Sequence, residues 1–360
     1  MNGKRRMAGR AALAVVVAAG AWATGTETVA AQAPGTRMRV DLHDTSPHTV
    51  RRVLTARDVE VEVVDWGGRG PALIFLAGFG NTAHVWDDFA PRFTHRFHVI
   101  GITRRGFGAS SKPDSGYDAR SLAEDILVVM NAMRIPRASF VAHASAGTEL
   151  NWLATRAQAR VDRLVYLDAG YDWAELYATP QWTAGPFPRP RLAEGSGTPA
   201  EMAAWYARFA GPGYPESEVR AQFRLNPYGR VGEMLIADSA AEKLMAGTPH
   251  PRVRQVTTPV LAIYAAPRTV QEKYPWYDEM SPQEKLAAEA RFELERDLLE
   301  RERIRFRNEI RRGIRNVVTI PGARHYVFLT HDREVETYIR RFLQSPLNNV
   351  RRTPRLRDLR

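Results

Sequence analysis

Residues 138–150, ASFVAHASAGTEL, set the tightest constraint on what this chain can become. The apolar stretch Ser139 to Ala142 reads as a strand, Ala144, Ser145, Ala146 and Gly147 as a sharp turn, and Glu149-Leu150 as the opening of a helix. A turn of that kind holds its tip residue above the edge of a sheet, where a reactive side chain can be presented. Two registers fit. One frames Ala142-His143-Ala144-Ser145-Ala146 and puts Ala144 at the tip. The other frames His143-Ala144-Ser145-Ala146-Gly147 and puts Ser145 there, with His143 where a small residue is needed.

Other segments repeat the strand-then-turn pattern. Pro71 to Leu76 reads as a buried strand ending at Ala77-Gly78-Phe79-Gly80, and Phe97 to Ile102 as the next, ending before Gly106-Phe107-Gly108. Arg163 to Leu167 stops at Asp168, and Pro259 to Ala265 and Val317 to Ile320 complete the set. Val59 to Val64 alternates charged and apolar residues and suits an outer strand. From Ser121 to Met133, the spacing of Leu122, Ile126, Val129, Met130 and Met133 predicts a helix with one buried face. Short apolar strands with helices between them predict an α/β fold, a mostly parallel central sheet covered on both faces.

The rhythm breaks between about residues 171 and 255, which are rich in Pro, Gly, Trp and Arg and hold short helical pieces such as Pro199 to Phe209. The core is therefore expected in two parts, 34–170 and 256–344, with this helical cap inserted over the carboxyl ends of the strands, where open α/β sheets hold ligands. Trp173, Trp182, Trp205, Phe187 and Tyr206 either line a pocket there or form the cap's own core. Ser281-Pro282-Gln283-Glu284 is a capping box that opens a helix to about Arg312. Its charged residues from Glu293 through Arg311 predict a mostly solvated face. Asp332 is a candidate cap for the closing helix, Arg333 to Leu343.

Residues 1–33 have the form of a secretory signal peptide: Lys4-Arg5-Arg6, an apolar run from Ala11 to Ala23, and small residues at Val29-Ala30-Ala31-Gln32-Ala33. Export, to the periplasm or beyond, follows as an expectation. The apolar run is short for a bilayer span, and no later stretch is long and uncharged enough to be one. What remains is roughly 325 residues, enough for one large domain with an insertion. The chain has no cysteine, so its core holds without disulfides and cysteine chemistry is excluded. The net charge of +11 is carried mostly by arginine. The basic tail, 345–360, offers no aromatic residue to stack on a base, and nucleic-acid binding is not expected. The nine histidines are scattered without a metal-binding spacing, and no metal or other cofactor is expected.

Serine-type ester hydrolysis needs a nucleophile, a base, an acid that orients the base, and two backbone N–H donors for the oxyanion. His325 follows the last strand, after the turn at Gly322, and is the expected base. Asp168, at a strand end, is the expected acid, with Asp172 and Glu149 as alternatives. The backbone N–H groups of Phe79 and of Ser145, the residue after the tip in the first register, are the expected oxyanion donors.

Four segments together resemble the α/β-hydrolase family: LAGFG at 76–80, TRRGFGASSKP at 103–113, VAHASAG at 141–147 and PGARHYVFL at 321–329. The family elbow usually reads V-G-H-S-x-G-G. Laid on this chain by its histidine, it matches Val141, Ala142, His143 and Gly147, puts Ala144 on the serine, and puts Ser145 on the variable position. The resemblance implies an esterase- or lactonase-like, capped α/β-hydrolase acting on a small carboxylic ester or lactone, and supports Asp168 as the acid. Three readings of Ala144 stay open: a substituted serine, a natural loss leaving a ligand-binding protein, or Ser145 as nucleophile in a shifted turn.

Overall fold

The structure, a computed structural model, describes residues 48–178, 188, 190, 197–237, 240–311 and 315–345. The expected signal peptide, the tail arginines from Arg351 on, and Trp182 and Phe187 lie outside the described residues.

The strands are β1 (Thr49–Ala56), β2 (Val59–Gly67), β3 (Ala72–Leu76), β4 (His98–Thr103), β5 (Ala138–His143), β6 (Val161–Leu167), β7 (Phe223–Leu225), β8 (Val231–Met234), β9 (Val260–Ala266) and β10 (Arg315–Pro321). Eight of them form one sheet in the order β1-β2-β4-β3-β5-β6-β9-β10, and β7 and β8 pair separately. β2 is antiparallel to both of its neighbours, and the pairs from β4 to β10 are parallel. The expectation that Val59 to Val64 forms an outer strand is corrected here. β1 pairs along its far side, so β2 lies one place in. β1 is mostly exposed and carries Arg51 and Arg52. Its ladder to β2, rather than apolar burial, holds it, which is why its sequence gives no strand signal.

The core lies on both faces of the sheet. Leu73 and Phe75 of β3 point into one cluster with Trp86, Phe89, Phe93, Ile339 and Phe342. Ile74 and Leu76 point into the other with Ile126, Met130, Leu150, Leu153 and Phe306. This two-residue alternation is what a strand buried on both sides requires. Each such side chain contributes roughly 1.5–3 kcal/mol on burial.

The helix Ala119–Ala132 starts two residues before the expected Ser121, because the Asp118 carboxylate accepts from Arg120 N and Ser121 N and closes the first turn. The helix Pro282–Glu309 opens on the expected Ser281–Glu284 capping box. Its charged face is only partly solvated, since Glu295, Glu302 and Arg303 are buried. Asp332 is the first residue of the closing helix Asp332–Gln344 rather than its cap, and it binds Arg92 at 2.8 Å.

A helical cap is inserted between β6 and β9, with the helices Trp173–Ala178, Pro199–Phe209, Glu216–Gln222 and Ala240–Ala246 and the β7–β8 hairpin. Among the described residues no helix is long and apolar enough to cross a membrane.

Candidate active site

Strand register brings five loops to one place. Leu76 of β3 pairs with Ala142 of β5, His143 of β5 with Leu167 of β6, and Leu167 with Ile263 of β9. Pro321 of β10 pairs with Ala266 of β9. The segments after these strands therefore converge at the carboxyl edge of the sheet: the loop at Gly78 to Asn81, the turn after His143, Asp168, the Ala266-Pro267-Arg268 loop, and the loop leading to His325.

The turn after β5 has its tip at Ala144, with φ 51°. That left-handed conformation costs a residue with a Cβ about 1–3 kcal/mol. It places Ala144 where a strained strand-to-helix turn holds its presented residue. Ser145 lies one step on, inside the short 3-10 turn that leads into the helix Gly147–Arg156, buried and with no hydrogen-bond partner for its Oγ among the described residues. The backbone therefore adopts the first register.

Small residues around the turn have a geometric reason. A Cβ on Gly78 would sit 2.9 Å from His143 Nδ1 and 3.1 Å from the Ala144 Cβ, so only glycine lets that loop pass the turn. A Cβ on Gly147 would lie 2.8 Å from the backbone N of Gly170.

His325 and Asp168 are brought together, with Nδ1 to Oδ2 at 2.7 Å. The other carboxylate oxygen accepts from the Tyr171 hydroxyl at 2.6 Å and from Ala265 N at 3.1 Å. Burial alone would raise the Asp168 pKa; the His325 hydrogen bond and charge, the nearby Arg303 and the Tyr171 hydroxyl outweigh it and hold the carboxyl below its ordinary value. Asp168 itself has φ 45°, a second strained residue at the site. With Nδ1–H directed at Asp168, Nε2 of His325 is left as the basic nitrogen.

The other candidate carboxylates face elsewhere. Glu149 takes Arg104 Nε at 2.7 Å. Asp172 accepts from Glu175 N and lies 2.5 Å from His250 Nδ1. Neither is engaged with His325.

His143 has a part that its position in the motif does not reveal. Its Nε2 donates to the backbone O of His325 at 3.0 Å, and the two rings lie 4.5 Å apart. Burial, reinforced by His325, pushes its pKa well down, so it stays neutral and the donor tautomer is fixed. Tyr171 and Arg303 also escaped the sequence reading. Tyr171 follows a glycine in an unpatterned stretch, and Arg303 is one charge among many on a long helix.

A cavity of about 580 Å³ opens over these residues, lined below by Phe79, Asp168 and His325 and above by Trp205, Tyr206 and Phe209 of the cap. That volume suits a small organic molecule. Trp173 also lines it. Trp205 and Tyr206 pack against the main core as well, so the two expectations for the cap aromatics are not exclusive.

Residues 73–337 match the model of the alpha/beta hydrolase family, and the chain belongs to that family. It is 29% identical over 216 residues to 3-oxoadipate enol-lactonase 2 of Acinetobacter baylyi, covering 59% of this chain and 78% of that protein. It is 26% identical over 225 residues to 2-(acetamidomethylene)succinate hydrolase of Mesorhizobium japonicum, covering 61% of this chain and 78% of that protein. A further match, 32% identical over 123 residues, reaches 33% of this chain and 40% of a fluoroacetate dehalogenase of Burkholderia sp. The crystal structure of E-2-(acetamidomethylene)succinate hydrolase superposes with a TM-score of 0.60 at 22% identity, over 83% of this chain and 100% of that one, a likeness of fold.

Proposed function

We propose that this protein is an exported α/β-hydrolase whose site takes a small carboxylic ester or lactone, with His325 as general base, Asp168 as the acid that orients it, and Ala144 where the family carries its nucleophile. The observation that carries the reading is the His325–Asp168 contact at 2.7 Å beside a strained turn tipped by Ala144. Relatives named as an enol-lactonase and as a succinate-derivative hydrolase support the substrate class. A dehalogenase chemistry of the kind that uses an elbow aspartate has no residue to run on, since the turn holds none.

The chemistry follows from the groups present. The backbone N–H groups of Phe79 and Ser145 receive the developing oxyanion. A methyl group at position 144 forms no acyl-enzyme, so His325 Nε2 instead takes a proton from a water that attacks the carbonyl directly. Collapse of the tetrahedral intermediate expels the alkoxide, which takes the proton back from His325 and leaves as the alcohol. Without the covalent step, catalysis is limited to what oxyanion donors, binding and the base supply, about 10³–10⁴ over water in a comparable case.

A second reading, a ligand-binding protein without turnover, is favoured by the same methyl. Hydrolysis of a short-chain aryl ester separates the readings. Weak turnover in this chain, rising by about three orders of magnitude or more in Ala144→Ser, fits the proposal. No turnover in the parent with a gain in Ala144→Ser fits the binding protein. Loss of activity in Ser145→Ala from an already active parent assigns the nucleophile to Ser145. Equal turnover in parent and both variants removes every serine-derived reading.

A further inference from the structure

The cavity wall is more cationic than an ester alone requires. Arg268, Lys273, Arg291, Arg296, Arg303 and Arg324 line it, against Asp168, Glu295, Asp297 and Glu300. Most of these cations are matched by carboxylates. Arg268 pairs with Glu272 at 2.5 Å, Arg291 with Glu295 at 2.6 Å, and Arg303 lies 3.4 Å from Glu300. Lys273 shares Glu295, and Arg296 pairs with Glu293.

Arg324 is the exception. Among the described residues no carboxylate lies within ion-pair distance of it. Its Nη1 donates to the backbone O of Arg208 at 2.6 Å and of Phe209 at 3.4 Å, at the end of the cap helix Pro199–Phe209. Nε and Nη2 have no protein acceptor among the described residues. The guanidinium is partly buried, and that burial lowers its pKa. Two helix-end carbonyls offset only part of the cost, for the negative end of a helix carries about half a charge. A counter-ion in the cavity would complete that compensation.

Resting on the ester-or-lactone reading, we propose that Arg324 is the anchor for a carboxylate on the substrate, so that the site takes an ester or lactone bearing a free carboxylate, such as the half-ester of a short dicarboxylic acid. The chain neighbour of Arg324 is His325, so the anchor and the base sit on one short loop and share one cavity. The planar Nε–Nη2 edge of a guanidinium matches a carboxylate with two parallel bonds. The Nη1 bonds to Arg208 and Phe209 tie that edge to the cap, so the anion subsite is made jointly by core and cap.

Calorimetric titration of the full chain with monomethyl glutarate and with dimethyl glutarate tests this. The two differ in a single charge and share the ester. The monoanion is expected to bind at least about tenfold tighter, the scale of one hydrogen bond to a charged group, and Arg324→Gln is expected to erase that ratio. Arg324→Lys keeps the charge without the fork and is expected to retain part of it. Because the readout is a ratio within each protein, a general loss of fold or affinity in a variant does not imitate the result, and the parent's own ratio stands without any variant. Equal or tighter binding of the diester, or an unchanged ratio in Arg324→Gln, overturns the anion anchor and leaves the ester reading in place. Failure of both esters to bind, together with no aryl-ester turnover in Ala144→Ser, overturns the ester reading and the anchor with it.

Discussion

His143 Nε2 lies 3.0 Å from the backbone carbonyl oxygen of His325. One residue before the tip of the turn thus binds the loop that carries His325 and ties the two sides of the site together. His143 is completely buried and neutral, so the bond is a fixed donor–acceptor pair rather than a titrating one.

His143→Phe keeps the ring volume and removes the donor. The expected cost is about 1 kcal/mol of stability, since among the described residues the His325 carbonyl keeps only its bond from Val327 N. In the Ala144→Ser background kcat falls while KM changes little, because the base is displaced and the pocket is not. Urea denaturation and aryl-ester kinetics on the same preparations check both parts.

Ala144 bears backbone strain without a hydroxyl to present. Ala144→Gly relieves the penalty of φ 51°, and the expected gain is about 1 kcal/mol after the glycine's own entropy cost is subtracted. Thermal or urea unfolding of parent and variant decides it. A loss of stability of that size contradicts a left-handed tip at this residue.

Asp168 has a pKa held below its ordinary 3.8. A depressed carboxylate contributes stability that is present above the unfolded value and is lost as pH falls through the folded one. Asp168→Asn is therefore less stable than the parent at neutral pH, and the difference shrinks as pH falls below about 4. Combined with Ala144→Ser, it lowers kcat by about four orders of magnitude, through the wrong tautomer at His325. Acid titration of the urea midpoint and ester kinetics read the two effects separately.

Much of the fold is legible in the sequence because buried parallel strands are short apolar runs bounded by glycine or proline. β3, β4, β5, β6 and β9 all carry that mark. β1 does not, since it is held by its ladder with its side chains in solvent. At the site, His325 and Asp168 are readable as residues that follow strands, and the structure puts them 2.7 Å apart. Glu149 and Asp172 stood as alternatives to Asp168 by position, but each is taken by a nearby side chain, Arg104 and His250, that only the tertiary structure brings in. The buried Arg303 and Glu295 were illegible for another reason. On a helix where more than half of the residues are charged, no period separates the inner face from the outer one.

Glu218 belongs to the cap and reaches into the core, where it accepts from Asn81 Nδ2 at 3.0 Å and Thr82 N at 2.9 Å. Burial pushes its pKa from 4.5 up to about 8, against the pull of the Thr82 and Asn81 bonds and the His84 charge. The folded state thus keeps a proton that the unfolded chain has already lost. Stability tied to this group is complete below the unfolded pKa and drains away as pH rises through the folded one. Urea midpoints are expected to fall from about pH 5 to about pH 8, and Glu218→Gln is expected to flatten that slope. A parent profile that is flat or rising over this window contradicts a neutral Glu218 in the folded state.

The tip of the turn is Ala144, and we propose that this chain therefore lacks a covalent nucleophile. Labelling with an alkyl fluorophosphonate, read by peptide mass spectrometry, tests it directly. The parent is expected to stay unlabelled, and Ala144→Ser is expected to take one phosphonyl group at position 144. A parent labelled at Ser145 would contradict the claim, as would an Ala144→Ser protein that reacts nowhere in the turn.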